Sequence, residues 1–279
     1  MKLNKDIQNK EVSTVHPKNK LNELTGKEWI KFLCSFFVFN ALPSDLKEER
    51  LATDGESADH PATYSPTMME GFINFFTKPG QIVLDPFVGI GSTLVACDRT
   101  KRRGIGIELN PKYAKIANKR TKQKIIIGDA LNIDKYELPI IDYCISSPPY
   151  WDVLNRSTKD FKTKRDIKNH DSKYSEELND LGNIDDYDKF LDLLYQIYEK
   201  IYKILKPGGY ITIIIKNVKK KGKYYPLAWD LAKKLSVLYE LKDEKIWIQD
   251  KVRLAPYGYP YAWVSNILHH YCLILRKEK

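Results

Sequence analysis

The stretch QIVLDPFVGIGST (81–93) decides how this chain folds. An apolar, β-branched run ends at Asp85, passes through Pro86 and Phe87 into a loop with glycines at 89 and 91, and meets a segment, 92–101, that reads as a helix. Glycines after a first strand let the backbone approach a ligand where a side chain would collide. The helix N-terminus that follows offers free N–H groups. A dinucleotide turn would need a third glycine where Leu94 stands, and no GxxxxGK[ST] phosphate loop is present. The unit therefore reads as strand, loop and helix around a nucleotide-like ligand.

Outward from it, short β-rich runs alternate with amphipathic segments. Strands are predicted at 81–85, 104–108 (GIGIE), 124–128 (KIIIG), 141–146 (IDYCIS) and 210–215 (YITIII), and helices at 66–77, 92–101, 111–121 and 185–206. The last helix is the clearest: Asp185 is placed to cap it, and Phe190, Leu194, Ile197, Ile201 and Leu205 recur at helical spacing until Lys206-Pro207-Gly208-Gly209. A further helix near 226–239 leads to KIWIQ (245–249) and HYCLILRK (270–277), which lack room for a helix between them and are expected to pair as an antiparallel hairpin at one edge. Such alternation signals an α/β fold, a mostly parallel sheet with helices on both faces. The aromatic-rich stretch GKEWIKFLCSFFVFNAL (26–42) is predicted helical, behind a polar arm at 1–24 that could follow phosphates. We expect residues 1–59 to form an N-terminal arm and helix and 60–279 a single domain. The polar segment 152–184 is longer than an ordinary connection, as functional loops often are. Residues 250–267 are rich in Tyr and Pro.

A chain of 279 residues can bury one large α/β core. Its 46 Lys and Arg against 36 Asp and Glu give a net charge of +10, which suits a polyanionic partner as well as a solvated surface. Cys34, Cys97, Cys144 and Cys272 lie far apart, with no CxxC pair or histidine cluster. We therefore expect buried thiols, no metal and no disulfide framework. The opening MKLNKDIQNK has no apolar leader, no run approaches the roughly 18 apolar residues of a membrane span, and a cytoplasmic protein is expected.

The second predicted strand ends at Glu108, about 20 residues beyond Asp85, where an acid can hold ribose hydroxyls. Asp129 follows the third strand, where an adenine amino group could be met. With these three acids and the glycine loop in hand, the chain resembles the DNA amino-methyltransferases, whose fold is Rossmann-like: seven strands, mostly parallel, with an antiparallel edge hairpin. The resemblance spans roughly residues 60–277 and implies S-adenosyl-L-methionine as cofactor. In that family DPFxGxGxT surrounds the methionine part of the cofactor, which would engage Asp85, Pro86, Phe87, Gly89, Gly91 and Thr93, with Ser92 at a variable position. Glu108 would hold the ribose, and Asp129 with Ala130 the adenine edge. HPATYSP (60–66) resembles the segment that completes the pocket, adding Thr63 and Tyr64, with His60 and Pro61 beside them.

ISSPPYW (145–151) follows the fourth predicted strand. An exocyclic amine on cytosine or adenine is a poor nucleophile because its lone pair is delocalised into the ring. Methyl transfer needs that nitrogen drawn out of conjugation by fixed hydrogen-bond acceptors. Ser147 supplies a side-chain oxygen and Pro148 a carbonyl, while Pro148 and Pro149 stiffen the backbone. Tyr150 offers a ring on which a base extruded from the duplex can stack. In an arbitrary protein SPPY would be a Pro-rich turn; beside the glycine loop it reads as catalytic. Within the family SPPY accompanies mostly N4-cytosine enzymes, whereas DPPY and NPPY accompany N6-adenine enzymes. The expected activity is therefore N4-cytosine methylation of duplex DNA, with N6-adenine as the alternative, in a restriction-modification system with a companion endonuclease. RNA amino-methyltransferases also use a Pro-Pro-Tyr turn, though generally as NPPY. A catalytically silent subunit would carry damage to one of the two motifs, and both are intact.

Two basic runs are candidates for DNA contact: Lys162, Lys164, Arg165 and Lys168, and Lys219, Lys220 and Lys221 with Lys223. No large block separates the glycine loop from SPPY or follows HYCLILRK. Target recognition is thus expected from 1–59, 152–184, 250–267 or a partner subunit. Tyr257, Tyr259, Tyr261 and Trp263 could stack on bases, although packing is the commoner role of such residues.

Overall fold

The structure, a computed structural model, describes residues 14–40, 45, 64–151, 181–220, 222–256 and 258–278. Its strands are β1 (Phe36–Val38), β2 (Ile82–Asp85), β3 (Arg103–Glu108), β4 (Lys124–Ile127), β5 (Ile141–Ser146), β6 (Leu205–Ile215), β7 (Val218–Lys220), β8 (Lys223–Tyr225), β9 (Glu240–Ile248) and β10 (His269–Arg276). Its α-helices are α1 (Gly26–Phe32), α2 (Pro66–Phe76), α3 (Ser92–Arg99), α4 (Pro111–Arg120), α5 (Tyr187–Ile204) and α6 (Leu227–Leu235). Eight strands form one sheet in the order β1-β9-β10-β6-β5-β2-β3-β4, and β7 pairs with β8 as a separate ribbon. Within that sheet, among the described residues, β10 alone runs against its neighbours, and the β7–β8 ribbon is antiparallel.

Local sequence explains most of these elements. Pro66 and Pro111 open α2 and α4 at the first turn, where a missing N–H costs nothing. Asn110 accepts from Lys112 N to cap α4. Gly104 and Gly106 on β3 let α3 and the loop before it approach closely: a Cβ at 104 would meet Leu94 Cδ2 at 2.6 Å, and one at 106 would meet Val88 Cγ2 at 2.8 Å. One sheet face carries α5 and α6 through Phe190, Leu194, Ile197, Tyr198, Leu231 and Leu235, all fully buried. The other carries α2, whose Met69, Phe72, Ile73 and Phe76 cover Val83, Tyr143 and Trp247. Each such side chain taken out of water contributes about 1.5–3 kcal/mol.

Several expectations need correction. The stretch 26–42 is not one helix. A capping box between Thr25 and Glu28 opens α1, which ends at Phe32, and Phe36–Val38 then adds a strand parallel to β9. The hairpin of β9 and β10 is consequently not at the edge, and among the described residues the sheet has eight strands rather than seven. Within the described part of 1–59, α1 and β1 share the sheet and core of the rest: Phe32 stacks on Phe75 at 4.0 Å, and β1 pairs with β9. Asp186, not Asp185, caps α5, accepting from Lys189 N at 2.7 Å. β6 starts at Leu205, directly from the helix, because Gly208 (φ 73°) can turn within the strand. Cys97, Cys144 and Cys272 are buried but Cys34 is exposed. Among the described residues no helix is long and apolar enough to cross a membrane, and no three His, Cys, Asp or Glu gather to hold a metal.

Candidate active site

β2 is flanked by β3 on one side and by β5 on the other. The chain reverses its direction of travel across the sheet there, and the carboxyl ends of strands at such a switch point bound a crevice. Asp85 ends β2 and Ser146 ends β5, so both sequence motifs open into that crevice. One cavity, about 1060 Å³ of space partly open to solvent, is lined by Asp85, Pro86, Phe87, Gly89, Ser92 and Thr93 from the loop and by Ser147, Pro149 and Tyr150 from the turn. Glu108, Asp129, Ala130 and Tyr64 complete the walls. Pro148 is buried but absent from this lining.

The loop is shaped by its own acids. Thr93 Oγ1 donates to Asp85 Oδ2 at 2.6 Å and Phe87 N to Asp85 Oδ1 at 3.0 Å. Burial pushes the Asp85 carboxyl up to about 6, because the charged form loses its water, and those two hydrogen bonds only partly offset this. Gly89 N and Asn110 N donate to the two oxygens of Glu108, at 2.8 and 2.9 Å, tying the loop to the end of β3. Gly91 sits at φ 92°, and a Cβ there would meet the Ala117 side chain at 3.0 Å, so both conformation and space require glycine. Asp129 accepts from Leu131 N at 2.8 Å and caps the 3₁₀ turn Ala130–Lys135, which presents Ala130 to the cavity.

At the turn, three hydroxyls meet. Tyr64 donates to Ser147 Oγ, and the hydroxyls of Tyr64 and Tyr150 lie 3.1 Å apart. Ser147 Oγ in turn donates towards Tyr150 at 3.5 Å. Burial raises the Tyr150 phenol to about 12, so it stays protonated at neutral pH. Behind the cluster stands an aromatic wall: Tyr64 against Trp247 at 5.6 Å, His270 stacked on Trp247 at 4.4 Å, and Tyr150 against His270 at 5.8 Å. Burial, with Lys216 and His269 nearby, lowers His270 to about 3 and keeps the ring neutral. Sequence reasoning assigned Tyr64 to the cofactor pocket and missed both its bond to Ser147 and the Trp247–His270 wall. These contacts join residues far apart in sequence, which no local pattern marks.

The basic runs fare differently. Lys219 Nζ donates to Ser265 O at 2.6 Å and Oγ at 2.9 Å. Lys220 pairs with Asp185 at 2.5 Å and lies 4.2 Å over the Trp151 ring. Both ammonium groups therefore have protein partners, which weakens the expectation that they bind phosphates. Lys162, Lys164, Arg165, Lys168, Lys221, His60, Pro61, Thr63 and Tyr257 lie outside the described residues.

Residues 2–119 match the family described as DNA methylase. The orphan methyltransferase M.BamHII of Bacillus amyloliquefaciens is 33% identical over 91 residues, 33% of this chain and 34% of that protein. The Type II methyltransferases M.Cfr9I of Citrobacter freundii and M2.DpnII of Streptococcus pneumoniae are each 46% identical over 61 residues, 22% of this chain and 20% and 23% of theirs. The matched region thus spans about a fifth to a third of the length of these relatives. Among solved structures, TrmN from Thermus thermophilus superposes with a TM-score of 0.52 at 14% identity, over 83% of this chain and 52% of that one, a likeness of fold.

Proposed function

We propose that this chain is a DNA amino-methyltransferase and that it methylates the exocyclic N4 of cytosine in duplex DNA, a reading supported by the match of residues 2–119 to the DNA methylase family, by the similar methyltransferases and by the likeness of its fold to a solved structure. S-adenosyl-L-methionine is the methyl donor, and when bound it supplies an electrophilic methyl group on a sulfonium. The residues suit that cofactor. Gly89 lines the cavity without a side chain, Gly91 holds the loop turn against Ala117, and acids stand at three successive strand ends. In this reading Asp85, Pro86, Phe87, Ser92 and Thr93 hold the methionine part, Glu108 the ribose, and Asp129 and Ala130 the adenine.

The observation that carries the reading is the cavity shared by the loop and the SPPY turn. A hydroxyl has one hydrogen to donate and two lone pairs. Ser147 Oγ accepts from Tyr64 and donates towards Tyr150, which leaves one lone pair for an amine N–H. That hydrogen bond draws the amine lone pair out of the ring. Tyr150 stacks on the base once it has been flipped from the duplex. Serine at the head of the turn favours cytosine. The names of the relatives favour a place in a restriction-modification system, beside a cognate endonuclease.

The test is incubation with labelled S-adenosylmethionine and DNA, nucleoside digestion and mass spectrometry. N4-methylcytosine is the expected product. N6-methyladenine alone would overturn the cytosine assignment, and label on RNA but not DNA would overturn the substrate class.

A further inference from the structure

The connection between β9 and β10 presents three large aromatics almost wholly to solvent: Tyr259 is 81% exposed, Tyr261 94% and Trp263 87%. Packing, the ordinary role of such residues, is thereby excluded for them. The loop beneath is nonetheless built. Asn266 clamps Ala255 with two hydrogen bonds, its Oδ1 accepting from Ala255 N at 3.0 Å and its Nδ2 donating to Ala255 O at 2.8 Å. Gly258 O accepts from Tyr261 N at 2.7 Å and Ala262 N at 2.8 Å, with Gly258 at φ 80°, where a Cβ would lie 2.4 Å from Ala262 O. Lys219 ties Ser265 to the β7–β8 ribbon. Exposed apolar surface held in shape by hydrogen bonds marks a binding site more than a fraying loop does.

The loop's position fixes what it can reach. β10 begins where β6 ends, with Tyr271 opposite Ile215, and β9 ends opposite His269. The loop therefore leaves the sheet at the same strand ends as the SPPY turn, and His270 at its foot lies against Tyr150. Its charge suits a polyanion: Lys251 and Arg253 are exposed, and its one acid, Asp250, accepts from Asn40 Nδ2 at 2.6 Å. Aromatic side chains beside cations bind nucleic acid by stacking on bases or wedging between base steps, which offsets the unstacking that base flipping costs.

We infer that the loop from Gln249 to Leu268 is a DNA-engaging element, and that Tyr259, Tyr261 and Trp263 stack on or insert between bases of the duplex around the flipped nucleotide. The inference rests on the DNA methyltransferase reading and deepens it.

The test uses the full chain and a fluorescein-labelled DNA duplex of mixed sequence. Binding is read by anisotropy, cofactor binding by calorimetry, oligomeric state by light scattering, and transfer by label incorporation. The double variant Tyr261→Ala/Trp263→Ala should weaken duplex binding by about ten- to a hundredfold, as loss of base stacking does, and leave cofactor binding unchanged. Tyr261→Phe/Trp263→Phe, which keeps the rings, should bind like the wild type. Wild-type affinity in the alanine variant would overturn the inference. So would a wild-type dimer that the alanine variant breaks with no change in DNA affinity, since the occupant would then be a second copy. Wild-type chain that binds the duplex without transferring label would overturn the methyltransferase reading, while the affinity comparison still decides the role of the loop.

Discussion

Replacing Tyr64 by phenylalanine removes one oxygen, and with it the donor that orients Ser147. The ring stays against Trp247, so cofactor binding and fold should survive while kcat falls about tenfold, the order expected of one lost positioning hydrogen bond. Ser147→Ala removes the acceptor itself and should cost transfer about a hundredfold or more at unchanged cofactor affinity. Equal loss of both properties would show the site misplaced. Asp85 gives a pH signature. Its carboxyl, raised to about 6 by burial, is increasingly protonated below that pH. A cationic ligand favours the carboxylate, so S-adenosylmethionine affinity should fall by up to about tenfold per pH unit below 6. Asp85→Asn should flatten that dependence in calorimetry. The same raised value makes the buried carboxylate a liability for folding: its unfavourable charge is absent below the ordinary carboxylate range and is fully felt above 6. At this scale the loop and the SPPY turn were legible because each is a short run of neighbours. Tyr64 was read as a pocket residue because its partner lies 83 positions away.

Lys245 on β9 shows why the elements at the chain's start were misread. Its ammonium is buried and donates to the carbonyls of Phe32 and Cys34, just past α1, and sits 4.5 Å over the Phe32 ring. It thus satisfies the end of a helix that aromatic content alone would continue, and frees Phe36–Val38 to pair with β9. Nothing within 26–42 announces a lysine more than 200 residues on. Lys245→Met keeps the apolar stem and leaves those carbonyls without a donor, which should cost about 1–3 kcal/mol and lower the melting temperature. The segments at 66–77, 92–101 and 111–121 were legible because proline, glycine and asparagine mark their first turns locally.

Across the whole molecule, the surplus of ten positive charges predicts a division between the two ligands. Duplex affinity should fall by about a thousandfold or more between 50 and 200 mM salt if six or more phosphates are neutralised. Affinity for S-adenosylmethionine, on the proposed reading bound inside the cavity, should change little over the same range, as paired titrations at each salt concentration would reveal. The alternation of strands and helices made the parallel body of the sheet legible, whereas its final order was not, because strand order is set by long-range pairing.

That order has a consequence for how the protein is made. β10, the last of the described strands to leave the ribosome, sits between β6 and β9 and is the only bridge joining β9 and β1 to the rest of the sheet. Until it emerges, Trp247 and His270 cannot stand behind Tyr64 and Tyr150, so a nascent chain that already carries both sequence motifs still lacks the wall that positions them. Vectorial synthesis thus delays competence until β10 has emerged.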